Sequence, residues 1–193
     1  LFVHGRTRNA RYRLAADWDT IGEIAAAVPI PVIGNGDILF PADLDLARRA
    51  GVTATMTARG ALIKPWIFRE ATEGYRDISG EERLTLYRRY VTLAKEHWGD
   101  DDHGLERVRQ FLRWHTDFWH RYVPRRADGT FPTMQEREPD MGARTPLERL
   151  LARGDAPALD YLTDRLLTED EVDPGAAPAP DESRASDLAE VEG

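Results

Sequence analysis

The chain has 193 residues, 41% of them apolar and 31% charged, with no cysteine and a formal net charge of −8. That balance belongs to a folded globular chain; it excludes disulfides and thiolate chemistry within these residues, and no apolar run is long enough to span a bilayer. A nucleic-acid partner is not excluded, because residues 168–193 hold nine acidic residues against one arginine, leaving 25 of each sign in the rest.

Taken in order, residues Leu1 to His4 read as a buried strand. A chain that opens on a strand, without an initiator methionine, is expected to be a fragment beginning inside a fold. Asp17 is placed to cap a helix running through Ile21, Ile24 and Val28. Ile30 to Ile33 reads as a second buried strand. Pro41 sits at the first turn of a helix that carries Leu44, Leu46 and Ala47 and stops at Gly51. Val52 to Thr57 is a third strand. Strands alternating with helices at this spacing predict right-handed βαβ units, a parallel sheet and an α/β class.

Beyond Trp66 the pattern is helical only. Ser79 and Glu82 form a capping box that opens a helix reaching about Trp98. A second runs from Leu105 to Tyr122, with Val108, Phe111, Leu112 and Phe118 on one face. Thr145, Pro146 and Glu148 begin a third, and Ala156 to Leu167 is a fourth. Between them, Arg125 to Arg144 contains Gly129, Pro132, Pro139 and Gly142 and reads as a long connection. From Thr168 onward the acidic, proline- and alanine-rich composition predicts disorder. The domains expected are therefore 1–74, 78–167 and a tail at 168–193. No export signal is visible, which points to an intracellular, cytoplasmic or nuclear setting. Neither a metal nor a membrane partner is expected.

The chemistry-bearing motifs stand directly after strands. Gly34-Asn35-Gly36-Asp37 follows the second and Ala58-Arg59-Gly60 the third. Glycines let backbone N–H groups approach a phosphate, and an arginine adds charge-assisted hydrogen bonds. Two such loops on successive strands suggest a phosphate-bearing ligand; the same pattern also suits plain tight turns. The first strand ends in His4-Gly5-Arg6-Thr7-Arg8, where His4 is either a ligand donor or a satisfied strand-end histidine. Arg6 and Arg8 read either as solvated charges or as RNA contacts.

In order and spacing, HGRTR, ADWDTI (Ala16 to Ile21), PVIGNGDI (Pro31 to Ile38) and ARGALIKPWIF (Ala58 to Phe68) resemble the tRNA-dihydrouridine synthase family. ALIKPWIF, EHWG (Glu96 to Gly99) and GLERVRQFLRW (Gly104 to Trp114) are most similar to its eukaryotic branch acting on the variable loop. The resemblance covers roughly Leu1 to Leu167. It implies the last three strands of a TIM-type β/α barrel, followed by an all-α helical bundle. It also implies FMN held at His4, Asn35, Gly36, Asp37, Ala58 and Arg59, with Gly60 shaping the loop. NADPH would be the reductant, and hydride would go to the uracil C5–C6 bond of tRNA. The family's proton-donor cysteine, and a glutamine and lysine that contact the flavin, would lie on a part not contained here, so no catalytic residue is assigned to this chain.

The helix from Leu105 and its flanks carry Arg107, Arg109 and Arg113, with Arg121, Arg125 and Arg126 close by, against Glu106 and Asp117. Trp114, Trp119 and Tyr122 are interleaved with them, as stacking on bases would need; a bundle helix with an aromatic core and a solvated basic face gives the same pattern. Where the family carries an Arg-Lys-His run toward tRNA, this chain has Arg109-Gln110-Phe111, so only the arginine is kept. Two further readings stay open. One is another FMN barrel oxidoreductase, against which the basic helical region argues. The other is a non-catalytic RNA-binding module derived from a synthase.

Overall fold

The computed structural model describes residues 1–10, 12–136 and 144–181. They divide into two compact units, Leu1–Asp77 with Pro124–Arg137, and Ile78–Val123 with Glu138–Gly193. The first crossing falls between Asp77 and Ile78, and residues 124–136, within the stretch read as a connection of the helical part, group with the first unit.

In the first unit β1 (Phe2–His4), β2 (Ile33–Asn35) and β3 (Ala54–Met56) form a parallel sheet in the order β1-β2-β3. Phe2, Ile33 and Ala54 stand in one row, Val3, Gly34 and Thr55 in the next, and His4, Asn35 and Met56 at the C-terminal end. β2 starts three residues later than the sequence reading. Pro29 and Pro31 have no N–H to give a ladder; instead the Pro31 carbonyl accepts from the Leu1 amino group at 2.8 Å, and Ile33 N donates to Leu1 O at 2.8 Å.

α1 (Trp18–Ala27) and α2 (Pro41–Arg49) cover one face of this sheet. Asp17 caps α1 by accepting from Thr20 N at 2.9 Å, and Pro41 opens α2 at its first turn. Trp18, Ile21, Ile38, Ala47 and Ile67 form the core, with Val3 and Val52 packed against it. The strands were expected to be buried, yet only the row pointing at the helices is covered. Phe2 is 67% exposed and Met56 is exposed as well. Side chains alternate across a strand, so covering one face leaves the other two rows open.

Two short helices follow β3, α3 (Arg59–Ile63) and α4 (Ile67–Glu73), with Pro65 between them barring a continuous helix. Arg59 and Gly60, read as loop residues, are thus the first residues of α3. The returning segment 124–136 lays Phe131 on Phe40, with ring centroids 4.6 Å apart, and beside Tyr75 at 5.0 Å.

The second unit contains α5 (Gly80–Trp98), α6 (Asp102–Trp119), α7 (Pro146–Leu151) and α8 (Ala156–Leu167). The capping boxes at Ser79/Glu82 and Thr145/Glu148 are both formed. α6 begins three residues before the expected Leu105 and ends three before Tyr122. Asp101 caps it through Gly104 N at 2.8 Å, a cap signal that apolar periodicity alone does not reveal. Val108, Leu112 and Trp119 join Tyr87, Val91, Leu162 and Leu166 in a shared core. Phe111, placed on the core face by spacing, is instead exposed and stacks on Trp98 with centroids 4.7 Å apart.

The expectation of a disordered tail fails for 168–181. Val172 is 7% exposed within the helical core. Lys95 Nζ donates to Glu169 at 2.8 Å, and Tyr161 Oη donates to the Asp173 carbonyl at 2.8 Å, just before a 3-10 turn at Pro174–Ala176. A single well-placed valine and a few polar contacts are enough to dock a segment whose average composition is that of a solvated chain. Residues 182–193 of the expected tail, and 137–143 of the expected connection, lie outside the described residues.

Candidate functional site

The parallel register sets His4 beside Asn35 at the end of the open sheet face. His4 Nδ1 donates to the Asn35 carbonyl at 3.1 Å, which leaves Nε2 for another partner. The Asn35 amide donates to Met56 O at 2.7 Å and so ties the ends of β2 and β3 together.

Beyond Asn35 the chain turns sharply. Gly36 has φ +138°, and a Cβ there would lie 2.4 Å from the Ala16 methyl, so only glycine fits. Asp37 follows with φ +51°, a left-handed conformation that aspartate tolerates better than most residues. Gly60 is required for a different reason: its Cβ would stand 1.9 Å from the Ile38 carbonyl. The β2 loop and the start of α3 are therefore pressed backbone to backbone. The N-cap of α3 is Ala58, which offers no side-chain cap.

Asp37 is the centre of this edge. One carboxylate oxygen accepts from Arg6 Nη2, from Ala16 N at 2.9 Å and from Gln135 Nε2 at 2.9 Å; the other accepts from Arg59 Nη2 at 3.2 Å. Burial pushes this carboxyl upward, but the hydrogen bonds from Arg6, Ala16 N and Gln135, with the charge of Arg6, hold it below the ordinary aspartate range. Tyr12 stacks on Arg59, with the guanidinium carbon 3.8 Å from the ring centroid. Two guanidinium groups meet one carboxylate, so the cluster keeps a net positive charge beside the start of a helix and a glycine-shaped loop.

The seven residues assigned to a cofactor, His4, Asn35, Gly36, Asp37, Ala58, Arg59 and Gly60, thus gather on adjacent strand ends of one sheet. Asp37, among these, is already engaged by four donors. Arg6, read as a solvated charge or an RNA contact, is not a solvated charge. Its side chain is 2% exposed, and it also donates from Nε to Leu14 O at 2.6 Å. Arg8 is exposed. Tyr12, Ala16 and Gln135 were missed. Gln135 in particular lies 98 residues from Asp37, in a stretch with no periodic signal.

On α6 some of the arginines are paired within their own unit. Arg109 pairs with Asp164, and Arg113 with Asp160 at 2.6 Å, both partners on α8. The two arginines therefore spend their charge within the unit, while Arg107 stays exposed. Trp119 and Tyr122 are buried, and Trp119 stacks on Tyr87 with centroids 3.9 Å apart. Of the three aromatics considered for base stacking, only Trp114 is open, at 47% exposure. Among the described residues no cluster of acidic and histidine side chains is placed to hold a metal ion, and no helix is long and apolar enough to cross a membrane.

A three-stranded parallel sheet with polar residues at its C-terminal edge is consistent with part of a β/α barrel. The model of the dihydrouridine synthase family matches residues 1–127, and the chain belongs to that family. Its similarity falls in one branch. It is 45% identical over 153 residues to a human protein named tRNA-dihydrouridine(47) synthase, NAD(P)(+)-like, covering 78% of this chain and 24% of that one. It is 42% identical over 168 residues to the Rattus norvegicus protein of the same name, covering 86% of this chain and 26% of the relative. With the tRNA-dihydrouridine(47) synthase of Kluyveromyces lactis it shares 38% over 174 residues, covering 80% and 26%. The chain spans about a quarter of the length of these relatives.

Proposed function

We propose that this chain supplies the phosphate end of an FMN site to an enzyme that reduces uridine to dihydrouridine in tRNA, with NADPH as reductant. The observation that carries the reading is the edge itself. Gly36, Ala58, Arg59 and Gly60 come from two neighbouring strand ends, are locked together by the close approach of Gly60 to Ile38 O, and carry surplus positive charge. A phosphomonoester fits there on chemical grounds. Backbone N–H groups at the start of α3 face no side-chain cap, and the Arg59 guanidinium offers the fork that phosphate oxygens accept.

His4 and Asn35 stand in the last row of the sheet, just before Gly36, and would hold the flavin end of the cofactor. Asn35 keeps its amide engaged with Met56 O, and His4, with Nδ1 donating, has Nε2 left to accept a hydrogen bond. The bound flavin, reduced by NADPH, supplies the hydride. The residues of this chain orient it and balance its charge. The substrate tRNA is read as meeting exposed cations, Arg8 and Arg107, more than Arg109 and Arg113, whose charges α8 already balances. Such an enzyme acts where tRNA is matured or used, in the nucleus or cytoplasm.

The test is direct. The complete gene product carrying this chain is purified, its flavin content is measured, and it is given NADPH and unmodified tRNA. Stoichiometric FMN and NADPH-dependent appearance of dihydrouridine are expected. A protein that binds tRNA but neither retains FMN nor forms dihydrouridine supports instead the binding-module reading.

A further inference from the structure

Asp37 stands where a cofactor contact was expected, yet its geometry assigns it different work. Its two oxygens are committed to Arg6, Arg59, Ala16 N and Gln135. Arg59 is held from two sides, by the carboxylate at 3.2 Å and by the face of Tyr12 at 3.8 Å. Arg6 is almost wholly buried and ties the same carboxylate to the Leu14 carbonyl, and Gln135 spans the same two acceptors, at 2.9 Å and 3.5 Å. An arginine side chain gives up substantial rotamer freedom when it is fixed. A guanidinium fixed in advance spares that cost when an anion arrives.

We propose that Asp37 is a positioning residue: together with Gln135 from the returning segment, it pre-orders Arg59 for a phosphomonoester and makes no contact with the cofactor itself. This rests on the phosphate reading above and deepens it. Charge makes the idea testable, because positioning and electrostatics predict opposite signs. Removing the negative charge of Asp37 raises the net positive charge of the cluster, so an anion would bind more tightly if charge alone mattered. With positioning, the anion binds more weakly, because Arg59 loses the carboxylate contact that helps fix it.

The experiment compares FMN with riboflavin, which lacks the phosphate, on the flavin-stripped complete gene product, with affinities read by flavin fluorescence. Arg59→Ala is expected to lower FMN affinity roughly 10- to 200-fold, the span of one hydrogen bond to a charged group, with riboflavin affinity little changed. Asp37→Asn keeps a residue that tolerates positive φ, and it is expected to lower FMN affinity about 3- to 30-fold, part of the same span, again sparing riboflavin. Should Asp37→Asn fail to fold because Arg6 is stranded, the Arg6→Gln/Asp37→Asn pair removes both charges and the carboxylate that Arg59 meets, and is held to the same criterion. If Asp37→Asn, or the pair in its place, binds FMN as tightly as the parent or more so while Arg59→Ala loses it, the positioning role is overturned and the phosphate reading survives. Equal losses of FMN and riboflavin in these variants reduce Asp37 to a structural residue and overturn the proposal too. If Arg59→Ala retains the preference for FMN over riboflavin, both readings fall.

Discussion

Replacing Glu70 by glutamine should destabilise the first unit far more than a surface substitution would. Lys64 is 0% exposed and Glu70 2%, and Lys64 Nζ donates to Glu70 Oε2 at 2.6 Å. Burial pulls the lysine below its ordinary pKa, and Glu70 is the principal group opposing that fall. Glutamine has one acceptor oxygen where glutamate uses two, for Lys64 Nζ and for Arg76 N at 3.3 Å, so the change removes the charge and one acceptor. Stripping one partner from a buried pair costs about 3–5 kcal/mol, because the other charge is left uncompensated. Two features place this case near the lower end: the Phe40 ring lies 4.1 Å from Nζ, and the Asp43 carboxylate also favours the charged lysine. A loss of about 3 kcal/mol in a unit of this size lowers Tm by roughly 12 °C or more. Lys64→Met combined with Glu70→Leu removes both charges and should recover most of the loss. Thermal and urea melts of the complete gene product, single variants against the double, measure this. A Glu70→Gln protein within 1 kcal/mol of the parent, or a double variant as unstable as the sum of the singles, would refute the argument, the threshold being the range of an ordinary surface pair.

The remaining predictions concern the second unit. Arg109→Ala should leave tRNA affinity and its salt dependence nearly unchanged and cost about 0.2–1 kcal/mol of stability, the worth of an exposed ion pair. Arg107→Ala should weaken tRNA binding and flatten the salt dependence by about one phosphate contact; filter binding across a salt series distinguishes the two, and a larger effect at Arg109 than at Arg107 overturns the assignment. Val172→Asp should lower stability by at least about 1.5–3 kcal/mol, the value of burying a valine side chain, before any cost of burying the charge. A melt unchanged by that substitution would mean that 168–181 does not pack on α5–α8.

Elements fixed by neighbouring residues were legible in the sequence. Asp17, Ser79 with Glu82, and Thr145 with Glu148 all cap within three residues of themselves, and such signals survive in a linear reading. The glycine turn after β2 was legible for the same reason, whereas Arg59 and Gly60, read as a loop, open α3. Charge pairing was not. Arg109 and Asp164 are 55 residues apart, Arg113 and Asp160 47, Asp37 and Gln135 98, and which carboxylate meets which arginine depends on the packing of whole elements. The basic face of α6 was visible as composition; its neutralisation by α8 was not. Trp119 shows the same limit from the apolar side, since nothing local separates an indole stacked on Tyr87 from one open to a base.

The route of the chain between its units has a consequence for synthesis. The polypeptide leaves the first unit at Asp77, builds α5 and α6, and returns with Pro124–Arg137 before leaving again. During translation, Phe40, Tyr75 and Asp37 therefore emerge well before the Phe131 and Gln135 that complete their surroundings. At ordinary elongation rates of about 5–20 residues per second, that interval lasts several seconds, long compared with the formation of any single helix. The first unit must wait, half-dressed, while the helical hairpin that follows it is made, and a ribosome stalled near Val123 would release a nascent chain whose Asp37 lacks one of its four donors.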